Sequence, residues 1–194
     1  MVFKFTFEND DIDFIKKVLS ENDVQPIIHG VIDANEYFSY NKNKLNAQMK
    51  QYLSIRIDDD RNRPCGNDEA VYAGEPFYFT CVSTKELLEK PYEMLKEKFQ
   101  CVFEKDIYSD VFYLEIMPKG ANKASAMLKL KEMLGCERVV CFGDGENDLP
   151  MFEQADECYA MENASPVLKK AATAVIGKNT EDGVAKWLVE NFKE

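Results

Sequence analysis

Apolar and polar positions along this chain follow two regimes. In the first, helix-like and strand-like stretches come in mixed order. Residues 10–22 place Ile12, Ile15, Val18 and Leu19 at helical spacing. Strand-like runs follow at 25–31 and 36–40, joined by Asp33-Ala34-Asn35. Residues 42–54 read as a helix, with Leu45, Met49, Tyr52 and Leu53 on one side. From Asp58 to Pro76 the chain is rich in Asp, Asn, Arg, Pro and Gly and reads mainly as loop. A strand at 77–82 meets a helix at 84–99, whose start carries the capping-box pattern Ser83-Thr84-Lys85-Glu86. Strands at 100–105 and 110–117 close this part, joined by Asp106-Ile107-Tyr108-Ser109.

From residue 121 helix and strand alternate strictly. Helix 121–134 stops before Gly135, a residue suited to the position after a helix end. Strand 137–142 leads to a helix near Asp148, with Pro150 in its first turn. Strand 157–161 precedes a helix with Ser165 as N-cap and Pro166 at its first position. A short strand at 173–176 precedes a last helix, which Thr180 is placed to cap and on which Val184, Trp187 and Leu188 face one way. Such alternation implies a parallel sheet covered by helices. No internal repeat or low-complexity tract interrupts the pattern.

The candidate chemistry lies where the run Val139-Val140-Cys141-Phe142 stops at Gly143-Asp144-Gly145-Glu146-Asn147-Asp148. An apolar run ending in a glycine-rich acidic turn reads as a buried parallel strand with a ligand loop at its carboxyl end. The glycines permit a tight turn and close backbone approach. Asp144 and Asp148 offer the hard oxygen ligands that Mg²⁺ takes beside water and phosphate. An EF-hand is excluded, because positions six and twelve from Asp144 are Leu149 and Ala155 rather than Gly and Glu.

This string resembles the acidic metal-binding motif of the haloacid-dehalogenase-like (HAD) hydrolases, most closely the Cof-type phosphatases. Upstream, Tyr113-Leu114-Glu115-Ile116-Met117-Pro118-Lys119-Gly120-Ala121-Asn122-Lys123 resembles the family's strand followed by a lysine that opens a helix. Downstream, Ala160-Met161-Glu162-Asn163-Ala164 and Thr180-Glu181-Asp182-Gly183-Val184-Ala185 are similar to its closing segments. The resemblance implies an α/β fold: the carboxyl-terminal part of a HAD-like Rossmannoid parallel sheet with helices, plus an α+β cap domain. The cap is expected over residues 9–112, and a partial core over residues 1–8 together with 113–194.

The resemblance also implies roles. Asp144 is the first choice as Mg²⁺ ligand and Asp148 the second, direct or through water. Lys123 is the cation that offsets charge in phosphoryl transfer, and Lys119 is a weaker candidate expected to face solvent. Asn147 is expected to orient the loop or touch the phosphate side, and Asn163 to lie near the phosphate. The substrate implied is a small phosphorylated metabolite such as a sugar phosphate. Arg61, Arg63, Tyr72 and Tyr78 are cap residues available to line a substrate pocket, without a pattern that selects among them.

The family's D-x-D-G-T nucleophile stretch has no counterpart in this sequence. Asp11-Ile12-Asp13 is followed by Phe14 and Ile15, and is expected to sit at a helix start, where carboxylates are favoured. Asp58, Asp59 and Asp60 run into Arg61-Asn62-Arg63 and are expected in a solvated loop. The family's first strands are therefore expected upstream of Met1, and the chain is expected to be inactive alone. Without those strands an exposed strand edge and apolar patch favour self-association or a partner chain. The alternative reading is a non-catalytic binding or assembly module derived from the same fold.

Composition narrows the partners. A net charge of −11 over 194 residues argues against nucleic acid or an anionic membrane as main partner. No apolar run approaches the roughly 20 residues of a membrane span. The start, Met1-Val2-Phe3-Lys4-Phe5, carries no signal-peptide pattern. Six scattered cysteines without C-x-x-C pairs suggest reduced thiols and a cytoplasmic setting. The only histidine, His29, lies in a strand-like run and is expected to be structural or incidental.

Overall fold

The computed structural model describes residues 5–106 and 109–191. The chain divides into two compact units between Ala121 and Asn122.

The first unit is built on a six-stranded sheet. Its strands are β1 (Pro26–Ile32), β2 (Asn35–Asn41), β3 (Asn62–Cys65), β4 (Glu75–Ser83), β5 (Gln100–Lys105) and β6 (Phe112–Met117), in the order β3-β2-β1-β4-β6-β5. All neighbours are antiparallel except β2 and β3. Alternation along the strands gives two apolar faces. Ile28, Phe79, Cys81, Leu114 and Ile116 pack with Ile15, Val18 and Leu19 of α1 (Asn9–Glu21) and Leu88 and Leu95 of α4 (Lys85–Leu95). Ile27, Phe38, Tyr40 and Val82 pack with Met49 and Leu53 of α2 (Ala47–Ser54). Asn46 caps α2 by accepting from Met49 N at 2.6 Å. The helix therefore starts five residues later than the expected 42–54, and residues 42–46 form the turn that leads into it.

Three expectations are corrected here. Residues 113–117, expected in the second part, pair with β4 and β5 and belong to the first sheet. The described part of residues 1–8 belongs there too, since Phe7 lies edge-on to Phe79 and Phe99, with ring centroids at 5.2 and 5.7 Å. The boundary at 112/113 thus moves to 121/122. The loop expected from Asp58 to Pro76 contains β3 and a one-turn helix α3 (Asp68–Val71). Pro64 is tolerated in β3 because the strand lies at the sheet edge. Asp11 lies in the first turn of α1 and pairs with Lys98 at 2.6 Å, while Asp59 pairs with Arg61 at 2.8 Å. The expected 106–109 turn includes Ile107 and Tyr108, which fall outside the described residues.

The second unit holds a parallel three-stranded sheet, β7 (Val140–Gly143), β8 (Glu157–Met161) and β9 (Ala174–Ile176), in that order. Its helices are α5 (Lys123–Leu134), α6 (Leu149–Phe152), α7 (Pro166–Ala171) and α8 (Gly183–Asn191). Cys141, Cys158, Ala160, Met161, Phe152, Ala164 and Leu168 form its buried core. Phe142, Tyr159 and Trp187 form a separate ring cluster, with Tyr159 and Trp187 centroids 4.3 Å apart. Gly135 ends α5 in the left-handed conformation, at φ 63°. Ser165 caps α7 through Leu168 N as expected. Thr180 does not cap α8. It lies in a 3-10 turn (Asn179–Glu181), and the helix begins after Asp182 reverses the chain at φ 57°.

Among the described residues β7 has no strand partner other than β8. Leu188 and Val189 of α8 and Leu130, Met133 and Leu134 of α5 are exposed. No helix among the described residues is long and apolar enough to cross a membrane. All six cysteines are free; Cys65, Cys81, Cys141 and Cys158 are buried and Cys136 is exposed.

Candidate active site

The loop after β7 is organised by one buried carboxylate. Gly143 ends the strand, and a 3-10 turn over Glu146–Asp148 carries the chain into α6. The turn folds Asp148 back under the strand end, where it is only 4% exposed. Its Oδ2 accepts from the backbone N–H of Asp144 at 3.0 Å and of Gly145 at 3.2 Å. A Cβ on Gly143 would meet that same oxygen at 2.7 Å, so glycine is required by this close approach.

The other oxygen, Oδ1, accepts a charge-assisted hydrogen bond from Lys123 Nζ. Lys123 opens α5, and the helix start is fixed by a capping box. Asn122 Oδ1 accepts from Ser125 N at 2.9 Å, and Ser125 Oγ accepts from Asn122 N at 3.1 Å. The pairing therefore joins residues 25 positions apart in sequence through two rigid helix starts. Burial alone would push the Asp148 carboxyl up. The bonds from Lys123 and the two amides outweigh it and hold the group below the usual carboxylate range, so it is charged at neutral pH.

Asp144 has the opposite environment: its side chain is exposed. Its backbone is held at both ends, the N–H by Asp148 and the carbonyl by Ser165 N at 3.0 Å. Its Oδ2 accepts from Asn179 Nδ2 at 2.9 Å. Its Oδ1 has no hydrogen bond to any described residue. Asn163 is exposed, and its Oδ1 accepts from Asn179 N at 3.1 Å. Asn147 is exposed on the 3-10 turn. An open groove of roughly 520 Å³ runs beside Asp144, lined also by Phe142, Gly143, Asn179 and Leu188.

The structure thus gathers Lys123, Asp144 and Asp148 around one loop, and Asn179 ties Asn163 to the same place. Asn179 was missed by sequence reasoning. An asparagine before Thr-Glu-Asp-Gly reads only as a turn residue. Lys119 is exposed, belongs to the first unit and donates to the Glu97 carbonyl at 3.2 Å. Of the cap candidates, Arg63 is held by Ser39 Oγ and the Ala70 carbonyl, and Arg61 by Asp59 and Glu36. Tyr72 packs against the first unit's core, and burial pushes the Tyr78 hydroxyl well up. His29 is half-buried in β1 beside Phe38, Phe77 and Tyr78, and burial pushes its imidazole down.

No three His, Cys, Asp or Glu side chains converge among the described residues. Mg²⁺ asks for less: one or two carboxylates, with water and phosphate completing its shell. Asp144, exposed and with one oxygen uncommitted, fits that requirement. Asp148 is already engaged on both oxygens, and its observed contacts organise the loop.

A profile of the haloacid dehalogenase-like hydrolases matches residues 1–188, and the chain belongs to that family. It is 31% identical over 176 residues to the Bacillus subtilis 5-amino-6-(5-phospho-D-ribitylamino)uracil phosphatase YwtE, a match covering 88% of this chain and 60% of that protein. Its fold is similar to that of TM0651 from Thermotoga maritima, with a TM-score of 0.75 and 27% identity over 97% of this chain and 68% of that one. It is also similar to that of the HAD subclass IIB sugar phosphatase BT4131, with a TM-score of 0.68 and 19% identity over the same shares. The chain therefore spans about two thirds or less of these relatives.

Proposed function

We propose that this chain carries the metal- and phosphate-handling part of a Mg²⁺-dependent phosphatase acting on small phosphomonoesters. The observation that carries the reading is the group Lys123–Asp148–Asp144 at the carboxyl end of a parallel strand. Asp144 would hold Mg²⁺ through its uncommitted oxygen. When bound, the ion offsets negative charge on the phosphoryl oxygens. Lys123 adds a cation oriented by its ion pair with Asp148. The Nδ2 of Asn163 is the limb of that amide left to donate to a phosphate oxygen.

The reaction proposed is attack by an aspartate carboxylate oxygen on phosphorus. The ester P–O bond breaks as the new one forms, giving an aspartyl-phosphate that water then hydrolyses. No D-x-D-G-T stretch occurs in these 194 residues, and none of their carboxylates is assigned that role. The substrate class proposed is a phosphorylated sugar or polyol, in keeping with the names of YwtE and BT4131. The six free thiols favour a cytoplasmic setting.

The test is a Mg²⁺ titration followed by thermal unfolding. Wild type should be stabilised saturably, and Asp144→Asn should lose the effect. A response that is absent in wild type, or equal in both, sinks the reading.

The outer edge of β7, which has no strand partner among the described residues, and the exposed Leu188 and Val189 favour a complementary proposal: an added strand, from a second copy or a partner, covers that edge. The alternative of a non-catalytic assembly module rests on the same surface. It would keep this association while showing no Mg²⁺ response.

A further inference from the structure

Asn179 lies outside every motif recognised in the sequence, yet it meets two residues that are within them. Its side-chain NH₂ donates to Asp144 Oδ2 and its backbone N–H donates to Asn163 Oδ1. Both bonds specify orientation as well as proximity. A backbone N–H can be accepted only by the oxygen limb of Asn163, so the NH₂ limb of that amide is directed elsewhere. The carboxylate of Asp144 likewise has Oδ2 committed to Asn179, which leaves Oδ1 for another ligand.

The loop that carries Asn179 is itself closely defined. Lys178 O accepts from both Glu181 N and Gly183 N at 3.1 Å. Asp182 turns the chain at a left-handed φ of 57°. A Cβ on Gly183 would lie 2.2 Å from Gly177 O, so the two ends of the loop touch backbone to backbone. A side chain on such a loop is held by its backbone as well as by its own bonds.

We propose that Asn179 is a positioning residue: its side chain fixes the rotamer of Asp144 and its backbone N–H fixes the face of the Asn163 amide, so that one residue sets the metal-side oxygen and the phosphate-side donor. This rests on reading Asp144 as the metal ligand. Partners that orient a ligating carboxylate commonly change metal affinity by 10- to 100-fold when removed.

The first readout needs no metal. Three-bond couplings by NMR report whether the Asp144 side chain holds one rotamer. It should do so in wild type and become averaged in Asn179→Ala and Asn179→Asp. The aspartate variant is isosteric and keeps the backbone bond to Asn163, but it has no donor for Asp144, so it decides the matter if the alanine variant folds poorly. The second readout is Mg²⁺ affinity, expected to fall about 10-fold in Asn179→Ala. A single Asp144 rotamer that survives in both variants overturns the proposal, and so does an unchanged Mg²⁺ affinity in a wild type that binds. If wild type gives no saturable Mg²⁺ response while its Asp144 rotamer still depends on Asn179, the positioning stands and the metal reading falls.

Discussion

Two carboxylates four residues apart in one loop have different work. Asp148 is buried, paired and charged, and it shapes the turn; Asp144 is exposed and lines an open groove. Because the folded carboxyl of Asp148 titrates below its unfolded value, its contribution to stability is present above about pH 4 and is lost as pH falls through the folded pKa. Removing Lys123 takes away the largest opposing influence on a group that burial pushes up. Lys123→Ala should therefore move the acid-unfolding midpoint to higher pH. Its neutral-pH cost should be modest, about 1 kcal/mol, because the lysine is half exposed. Acid titrations of both chains followed by circular dichroism check this; superimposable acid limbs would remove Lys123 from the account. At this scale the sequence was informative. Glycines beside acidic residues after an apolar run located Asp144 and Asp148, and the helix-opening lysine located Lys123. Asn179 was hidden because the contact that distinguishes it spans 35 residues.

At the scale of elements, helix ends were legible where a local cap set them. Gly135 and Ser165 act as their residue types suggest. Asn122 makes both bonds of a capping box, so Asn122→Ala should cost about 1 kcal/mol of stability to the unit that holds Lys123. Chemical denaturation should show this, and an unchanged midpoint would mean that tertiary packing alone sets the helix start. What stayed illegible depended on partners far away in sequence. Asn62–Cys65 contains a proline and looks like loop, and only parallel pairing with Phe38–Asn41 makes it a strand. The strand at 112–117 was recognised as a strand, but alternation cannot say which sheet receives it. The same holds for Phe7, whose place between Phe79 and Phe99 has no local signal.

For the whole molecule, two units carry separate cores, and the second ends its sheet on β7, which among the described residues pairs only with β8. Parallel sheets are usually covered on both faces, and an exposed strand edge is a template for pairing. With Leu188 and Val189 also exposed on α8, sedimentation at micromolar concentration should reveal a dimer or larger assembly. A monodisperse monomer at all concentrations would remove the covering-strand proposal. The net charge of −11 opposes loose aggregation, so association should strengthen as salt screens it.

The distribution of the thiols gives each core its own clock. Cys136 is open to solvent, whereas Cys65 and Cys81 lie inside the first unit and Cys141 and Cys158 face each other across β7 and β8. Burial pushes the Cys141 thiol up to about 11, so little thiolate exists in the closed state to attack a labelling reagent. Labelling at neutral pH should show a prompt phase from Cys136 and slow phases limited by opening of each core. Following the two buried pairs separately by mass spectrometry would give the opening free energy of each unit in one intact chain. A ligand that binds at Asp144 should then slow the Cys141 and Cys158 clock and leave the Cys65 and Cys81 clock running at its former rate.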